Sequence, residues 1–261
     1  MRRICIRVAY DGTDYHGWQI QNNANTIEAE LNRALSEMLK EQITVIGASR
    51  TDAGVHALGN VAVFDTNARI PVEKIPIAVN GWLPADIRVV SAQEVDSDWH
   101  PRHQNCRKTY EYSITVGEIE NPLTRRTAYF TYRMPDLEKM RNAAKLLEGE
   151  HDFAAFCAAG SQAESTVRTI YEISVRKEPL GQVADEMVCT QLTAGERYVI
   201  RVTGNGFLYN MVRILAGTIL EAGCGRKEPE EIMRALQEGD RRLAGPTLPA
   251  CGLCLMGYQY D

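Results

Sequence analysis

One order of elements occurs twice along this chain, and it limits the available folds more than any other feature. RICIRVAY (3–10) alternates apolar and polar side chains, the period of a half-buried strand. TIEAELNRALSEMLK (26–40) sets Ile27, Leu31, Leu35, Met38 and Leu39 along one helical face, with Asn25 and Glu28 as the expected capping pair. ITVIGAS (43–49) and GNVAVFDT (59–66) are two short β runs. A helix is expected over 72–82, marred by Pro76. DIRVVSAQEV (86–95) is a further strand. The order is βαββαβ.

The second half repeats it. KTYEYSITV (108–116) reads as a strand and DLEKMRNAAKLLEG (136–149) as a helix, with Asp136 at its N-cap and Gly149 past its end. VRTIYEISVR (167–176) is a strand, and MVCTQLT (187–193) with ERYVIRVTG (196–204) reads as a hairpin around Ala194 and Gly195. GFLYNMVRILAGTILEAG (206–223) is a long amphipathic helix, KEPEEIMRALQEG (227–239) another with Pro229 in its first turn, and CLMGYQY (254–260) a closing strand. The pattern predicts an α+β protein of two fused ferredoxin-like (βαββαβ) subdomains, 1–104 and 105–261. They are expected to share an antiparallel or mixed sheet and to meet at a central cleft near residues 97–106.

Composition narrows the class. The chain has 261 residues, 44% hydrophobic and 24% charged, ordinary globular values. No apolar run approaches a bilayer span, and MRRICIRVAYDG lacks the apolar stretch of a signal peptide, so a cytoplasmic protein without a membrane partner is expected. Seven scattered Cys argue for reduced thiols. Cys251 and Cys254 form a C-x-x-C without a second ligand pair, so no metal is expected. No complete G-x-G-x-x-G fingerprint is present either, and no cofactor is expected.

The net charge is −5, which taken alone argues against a nucleic-acid partner. The distribution argues otherwise. Residues 99–110 contain no acid but hold His100, Arg102, His103, Arg107 and Lys108. Residues 121–135 again lack acids, and Arg125, Arg126 and Arg133 alternate with Tyr129, Phe130 and Tyr132. Residues 197–220 carry Arg201 and Arg213. Salt screening lets nearby charges decide, so an acidic chain can present a basic groove, and three such stretches with aromatics between them predict one.

The stretch ASRTDAGVHA (48–57) lies between two of the predicted strands. Taken alone, Asp52 and Gly54 are turn residues. Company changes the reading: Arg50 lies two residues before Asp52, Tyr110 on the strand opening the second half, and Arg213 on the long helix. A guanidinium beside a carboxylate keeps it ionised, and an ionised carboxylate is a nucleophile. YDGTDYHGWQIQ (10–21) offers Asp11, Trp18 and Gln19 in a loop suited to phosphate, ribose and stacking contacts. His56 is read as fixing the loop and as a lesser binding candidate.

SRTDAGVHA, YDGTDYHGWQIQ, RKTYEYSI (107–114) and GFLYNMVRILAG (206–217) together resemble the tRNA pseudouridine synthase A family. The four motifs stand in the family's order and span nearly the whole chain; Ser49 replaces the Gly usual before the Arg. The resemblance implies conversion of uridine to pseudouridine at positions 38 to 40 of the tRNA anticodon stem-loop. It places the essential Asp at Asp52, the active-site Tyr at Tyr110, the Arg that pairs with the Asp at Arg213, and the motif Arg at Arg50. It also implies a homodimer with tRNA across both protomers. Arg102, Arg107 and Lys108 join Asp11, Trp18, Gln19, Arg50, His56 and Tyr110 as substrate-binding candidates. Attack by Asp52 on C6 of the base or on C1′ of the ribose both remain open, as do proton transfer and stacking for Tyr110. Two other classes compete. A non-catalytic RNA-binding protein of two RRM-like units needs aromatic RNP residues, and K/R-G-F-G-F-V is absent. A glycosidic hydrolase needs two flanking carboxylates, and only Asp52 stands in a motif.

Overall fold

The computed structural model describes residues 1–180 and 195–260. The expected strand 187–193 and Cys189 lie outside the described residues. By contacts the chain divides into two compact units: Met1–Cys106 together with the C-terminal residues from Cys254, and Arg107–Leu253. The closing strand therefore belongs with the first unit, where the sequence had suggested a simple division after residue 104.

In the first unit the strands are β1 (Arg2–Tyr10), β2 (Ile46–Gly47), β3 (His56–Thr66) and β4 (Ile87–Val95), with helices α1 (Ile27–Leu39) and α2 (Ile75–Asn80). β1 is central, antiparallel to β3 on one side and β4 on the other. The short β2 is antiparallel to β3, and the last strand meets β3 in parallel at Cys254 and Leu255. ITVIGAS is thus strand only at Ile46–Gly47. The cap of α1 is Thr26, whose hydroxyl accepts from Ala29 N at 3.4 Å, not Asn25; Glu28 instead accepts from Ile20 N at 2.9 Å. Pro76 stands in the first turn of α2 and does not break it, because a first-turn residue needs no N–H partner.

Both faces of this sheet are apolar, so VAVF (61–64) is buried throughout. Ile4, Ile6 and Val8 alternate to one face, and Ile27, Leu31 and Leu35 of α1 are buried with them. Cys5, Val61 and Val63 form the other cluster with Ala48, covered by Trp99, Tyr258 and Tyr260. The Trp99 ring meets Tyr260 edge-on at 5.5 Å. Burial pushes the Cys5 thiol up to about 11, an inert core thiol.

The second unit holds β5 (Cys106–Val116), β6 (Tyr129–Thr131), α3 (Leu137–Lys145), β7 (Gly149–Asp152), β8 (Val167–Pro179), β9 (Glu196–Gly204), α4 (Met211–Gly223) and α5 (Pro229–Glu238); β10 (Leu253–Tyr260) begins at its end. Its sheet runs β5-β9-β8-β7, all antiparallel, with β6 parallel to β5. Asp136 caps α3 by accepting from Lys139 N at 3.0 Å. Glu228 and Glu231 form a capping box around Pro229 at the start of α5. α4 is not amphipathic in use: every residue but Arg213 and Glu221 is buried. The segment after α5 covers its remaining side, where Gly245 N donates to Thr218 Oγ1 at 2.8 Å. Among the described residues no helix is long and apolar enough to cross a membrane.

Candidate active site

Two loops of the first unit, 11–18 and 49–55, are joined backbone to backbone. Trp18 N donates to Thr51 O at 3.0 Å, and Gly54 N to Tyr15 O at 3.2 Å. Glycine makes this approach possible. A Cβ on Gly12 would collide with Val55 O, and one on Gly17 would sit 2.6 Å from Thr51 O. The Asp52 turn is closed by Val55 N donating to Asp52 O at 3.1 Å, with Gly54 at φ 78°. Ser49 lies outside the positive-φ residues, so its replacement of Gly brings no backbone strain. Thr51 and Val55 are buried, Asp52 is half-buried and Arg50 is exposed. The carboxylate is therefore presented from a turn whose flanks are fixed.

His56 Nδ1 lies 3.1 Å from both Gly12 N and Asp11 Oδ1. The amide can only donate, so the neutral ring accepts it; a protonated ring pairs with Asp11 instead. In either state His56 ties β3 to the 11–12 turn, a loop-fixing role. Asp11 Oδ1 also accepts from Thr13 N and Thr13 Oγ1 at 3.0 and 2.6 Å. Gln19 is exposed beside this turn.

Trp18 corrects the sequence expectation. It is 0% exposed, its ring stands 6.0 Å from Tyr10, and a Cβ on Gly47 would collide with it. It packs beneath the loops and has no surface on which a base can stack. The indole outweighs the polar character of its neighbours Gln19 and Gln21, which the sequence pattern alone could not separate from it.

Arg102 is exposed and reaches back to donate Nε to Gly47 O at 2.8 Å. Its pKa is lowered, first by burial and then by the Arg50 charge, so two guanidiniums share this neighbourhood. Both remain cations, because an arginine does not lose its proton in a protein.

The remaining candidates lie in the second unit. Tyr110 on β5 is buried, paired with Val202, and edge-on to Phe207 at 5.2 Å. The Arg107 guanidinium stacks 4.7 Å over Tyr171. Lys108 is half-buried on the same strand. Arg213 on α4 donates Nε to Leu248 O at 2.6 Å and Nη1 to Asn210 Oδ1 at 2.7 Å. Its guanidinium is thus aimed by its own unit. Arg201 does not stand alone as a cation: it and Arg176 bind Glu111 at 2.8 and 3.0 Å across three strands.

Sequence reasoning missed a buried polar cluster behind the Asp52 turn, made of Tyr10, Thr51, Asn60 and Tyr258. The signal was present: Asn60 is the one polar residue inside an apolar run.

A family model described as tRNA pseudouridine synthase matches residues 6–104 and 143–261. A tRNA pseudouridine synthase A of Thermoanaerobacter sp. (strain X514) is 42% identical over 261 residues, with 100% of both chains covered. Its namesake in Acetivibrio thermocellus is 41% identical over 260 residues, again with 100% of each covered. That of Limosilactobacillus reuteri (strain DSM 20016) is 44% identical over 264 residues, covering 100% of this chain and 97% of the relative.

Proposed function

The chain belongs to the tRNA pseudouridine synthase family, and from that premise we propose that it isomerises uridine to pseudouridine at positions 38 to 40 of the anticodon arm with Asp52 as nucleophile. It is an isomerase acting on tRNA. The reaction breaks N1–C1′ and makes C5–C1′ in one nucleotide; C5 loses a proton and N1 gains one. No electrons are transferred, so the chemistry itself calls for no redox cofactor. The target base leaves its stack first, at a cost of about a few kcal/mol.

The roles follow motif position. Asp52 attacks C6 or C1′. Tyr110 takes the C5 proton or stacks on the base. Arg213 serves as the counter-charge, and Arg50 holds the flipped nucleotide or the space it vacates. Asp11, Gln19, Arg102, Arg107 and Lys108 hold RNA. We extend the proposal to two ferredoxin-like subdomains, a cytoplasmic homodimer, and tRNA across both protomers. The order β4-β1-β3 with β2 on β3 supports the first of these subdomains.

The observation that supports the nucleophile most is the sealing of two separate motifs, 10–21 and 48–57, around a half-buried Asp52. Loops this tightly fixed give an attacking group the placement catalysis needs. The test is nucleoside analysis of tRNA after incubation, which separates pseudouridine from released uracil and from no change. Asp52→Asn keeps the shape and removes the nucleophile, so pseudouridine formation should fall more than a hundredfold with tRNA binding retained; a smaller loss excludes the covalent role. Tyr110→Phe keeps the ring and deletes the hydroxyl. A large loss identifies proton transfer, and near-normal turnover identifies stacking.

A further inference from the structure

We propose that Asn60 is a positioning residue that sets the Asp52 turn through Tyr10 and Thr51. The proposal rests on Asp52 being the nucleophile. Asn60 lies on β3, 0% exposed, and a buried amide must have its partners. It lies 2.9 Å from Val61 N, 3.2 Å from Ser49 O, 3.1 Å from Tyr10 OH and 3.0 Å from Tyr258 OH.

These partners fix the amide's orientation without reference to hydrogens. Val61 N only donates, so it faces Oδ1; Ser49 O only accepts, so it faces Nδ2. Oδ1 takes its second bond from the Tyr258 hydroxyl, and Nδ2 gives its second to the Tyr10 oxygen. All four sites of the amide are then filled. The Tyr10 oxygen that accepts from Nδ2 also lies 2.8 Å from Thr51 Oγ1, a hydroxyl pair in which either oxygen can donate. The result is a continuous chain, Asn60 to Tyr10 to Thr51, ending one residue before Asp52.

The same amide holds the other end of the segment through Ser49 O. The Thr51 carbonyl is fixed separately by Trp18 N at 3.0 Å. Arg50 and Asp52 therefore project from a backbone anchored at Ser49 and Thr51. Tyr258, on the last strand, brings the C-terminus into the same network. These bonds run to the amide, the hydroxyls and the backbone that flank Asp52, so their effect is on placement. A displacement of about an ångström can cost a hundredfold in rate.

Tyr10→Phe and Thr51→Val each delete one hydroxyl with shape nearly kept; Thr51→Ser keeps the hydroxyl. Steady-state kinetics on full-length tRNA should show kcat lowered roughly tenfold to a hundredfold in the first two, with KM within about twofold of the parent. Thr51→Ser should restore most of kcat. The Tyr10→Phe/Thr51→Val double variant should lose no more than the worse single variant, since both remove the Tyr10–Thr51 bond and Tyr10→Phe already breaks the chain at Asn60. Parent-level kcat in both single variants overturns the proposal, as does a change confined to KM or additive losses in the double variant. Asn60→Leu strands Ser49 O and Val61 N, so the test does not depend on its folding. Asp52→Asn, assayed alongside, separates the two failures. If it stays active, the nucleophile assignment falls; if it is dead while Tyr10→Phe and Thr51→Val run normally, only the positioning role falls.

Discussion

At the scale of single residues, the sharpest lesson is Trp18. An aromatic between His16 and two glutamines looks like a base-stacking residue, yet it is the largest fully buried side chain of the first unit and lies under Gly47. Its loss should be felt in stability first. Trp18→Ala opens a large cavity under both loops and should cost about 3–5 kcal/mol in chemical denaturation. Trp18→Phe should cost less and leave tRNA affinity near the parent value, because no contact with RNA is removed. A Trp18→Phe variant with parent stability and tenfold weaker tRNA binding would return the indole to the substrate surface. Asp52 and Gly54 were legible at this scale because turn chemistry is local. The burial of Trp18 was not, because it depends on which glycine faces it across the fold.

At the scale of elements, strands and helices were legible wherever periodicity was long. β1, β8, β9, α1, α3 and α5 fall close to their predicted ranges, whereas ITVIGAS shrinks to Ile46–Gly47 because little of it finds a partner on β3. What a linear pattern cannot carry is the neighbour across a sheet. Arg201 stands in an acid-free stretch of sequence, but β5 brings Glu111 beside it, with Arg176 of β8 on the same carboxylate. Burial alone would raise the Glu111 pKa; the hydrogen bonds from Arg176 and Arg201 outweigh it and the pKa is lowered. A lowered folded pKa gives stability that is present above the unfolded value near 4.5 and lost as pH falls through the folded value. The arginine side chains are 44% exposed, so screening limits the effect to about 0.5–1 kcal/mol. Glu111→Gln should therefore be less stable than the parent at pH 7 and indistinguishable from it well below pH 4. Unfolding curves of both proteins across that range check the sign; a gap that persists or widens in acid would show that the ion pairs are not its source.

At the scale of the whole molecule, net charge and partner pull in opposite directions, and the local placement of charges resolves it. A chain of net charge −5 is repelled by RNA at long range. Many of its acids, though, are spent on internal pairs such as Arg3–Asp65, Arg33–Glu30, Arg234–Glu238 and Arg242–Asp240, which present little net field to a partner. Arg50 and Arg102 are placed differently: Arg50 is exposed next to Asp52, and Arg102, held on Gly47 O, feels its charge. Within a Debye length of about 8 Å at physiological salt, an RNA phosphate near that turn meets the local cations and not the net charge. Binding should accordingly be steeply salt-dependent despite the acidic pI. Each phosphate neutralised contributes about 0.9 to the log–log slope on a duplex and about 0.7 on a single strand. Removing one phosphate-binding guanidinium, as in Arg102→Ala, should lower the slope by about one unit, whatever the tRNA sequence. If two protomers hold one tRNA, a minimal anticodon stem-loop should bind more weakly than full tRNA and show a shallower slope, since it gives up the contacts beyond the arm. Paired titrations of both RNAs at several salt concentrations measure all three quantities. A flat response contradicts the basic surface, an unchanged slope in Arg102→Ala removes that residue from it, and equal affinity and slope for the two RNAs confine the footprint to the arm.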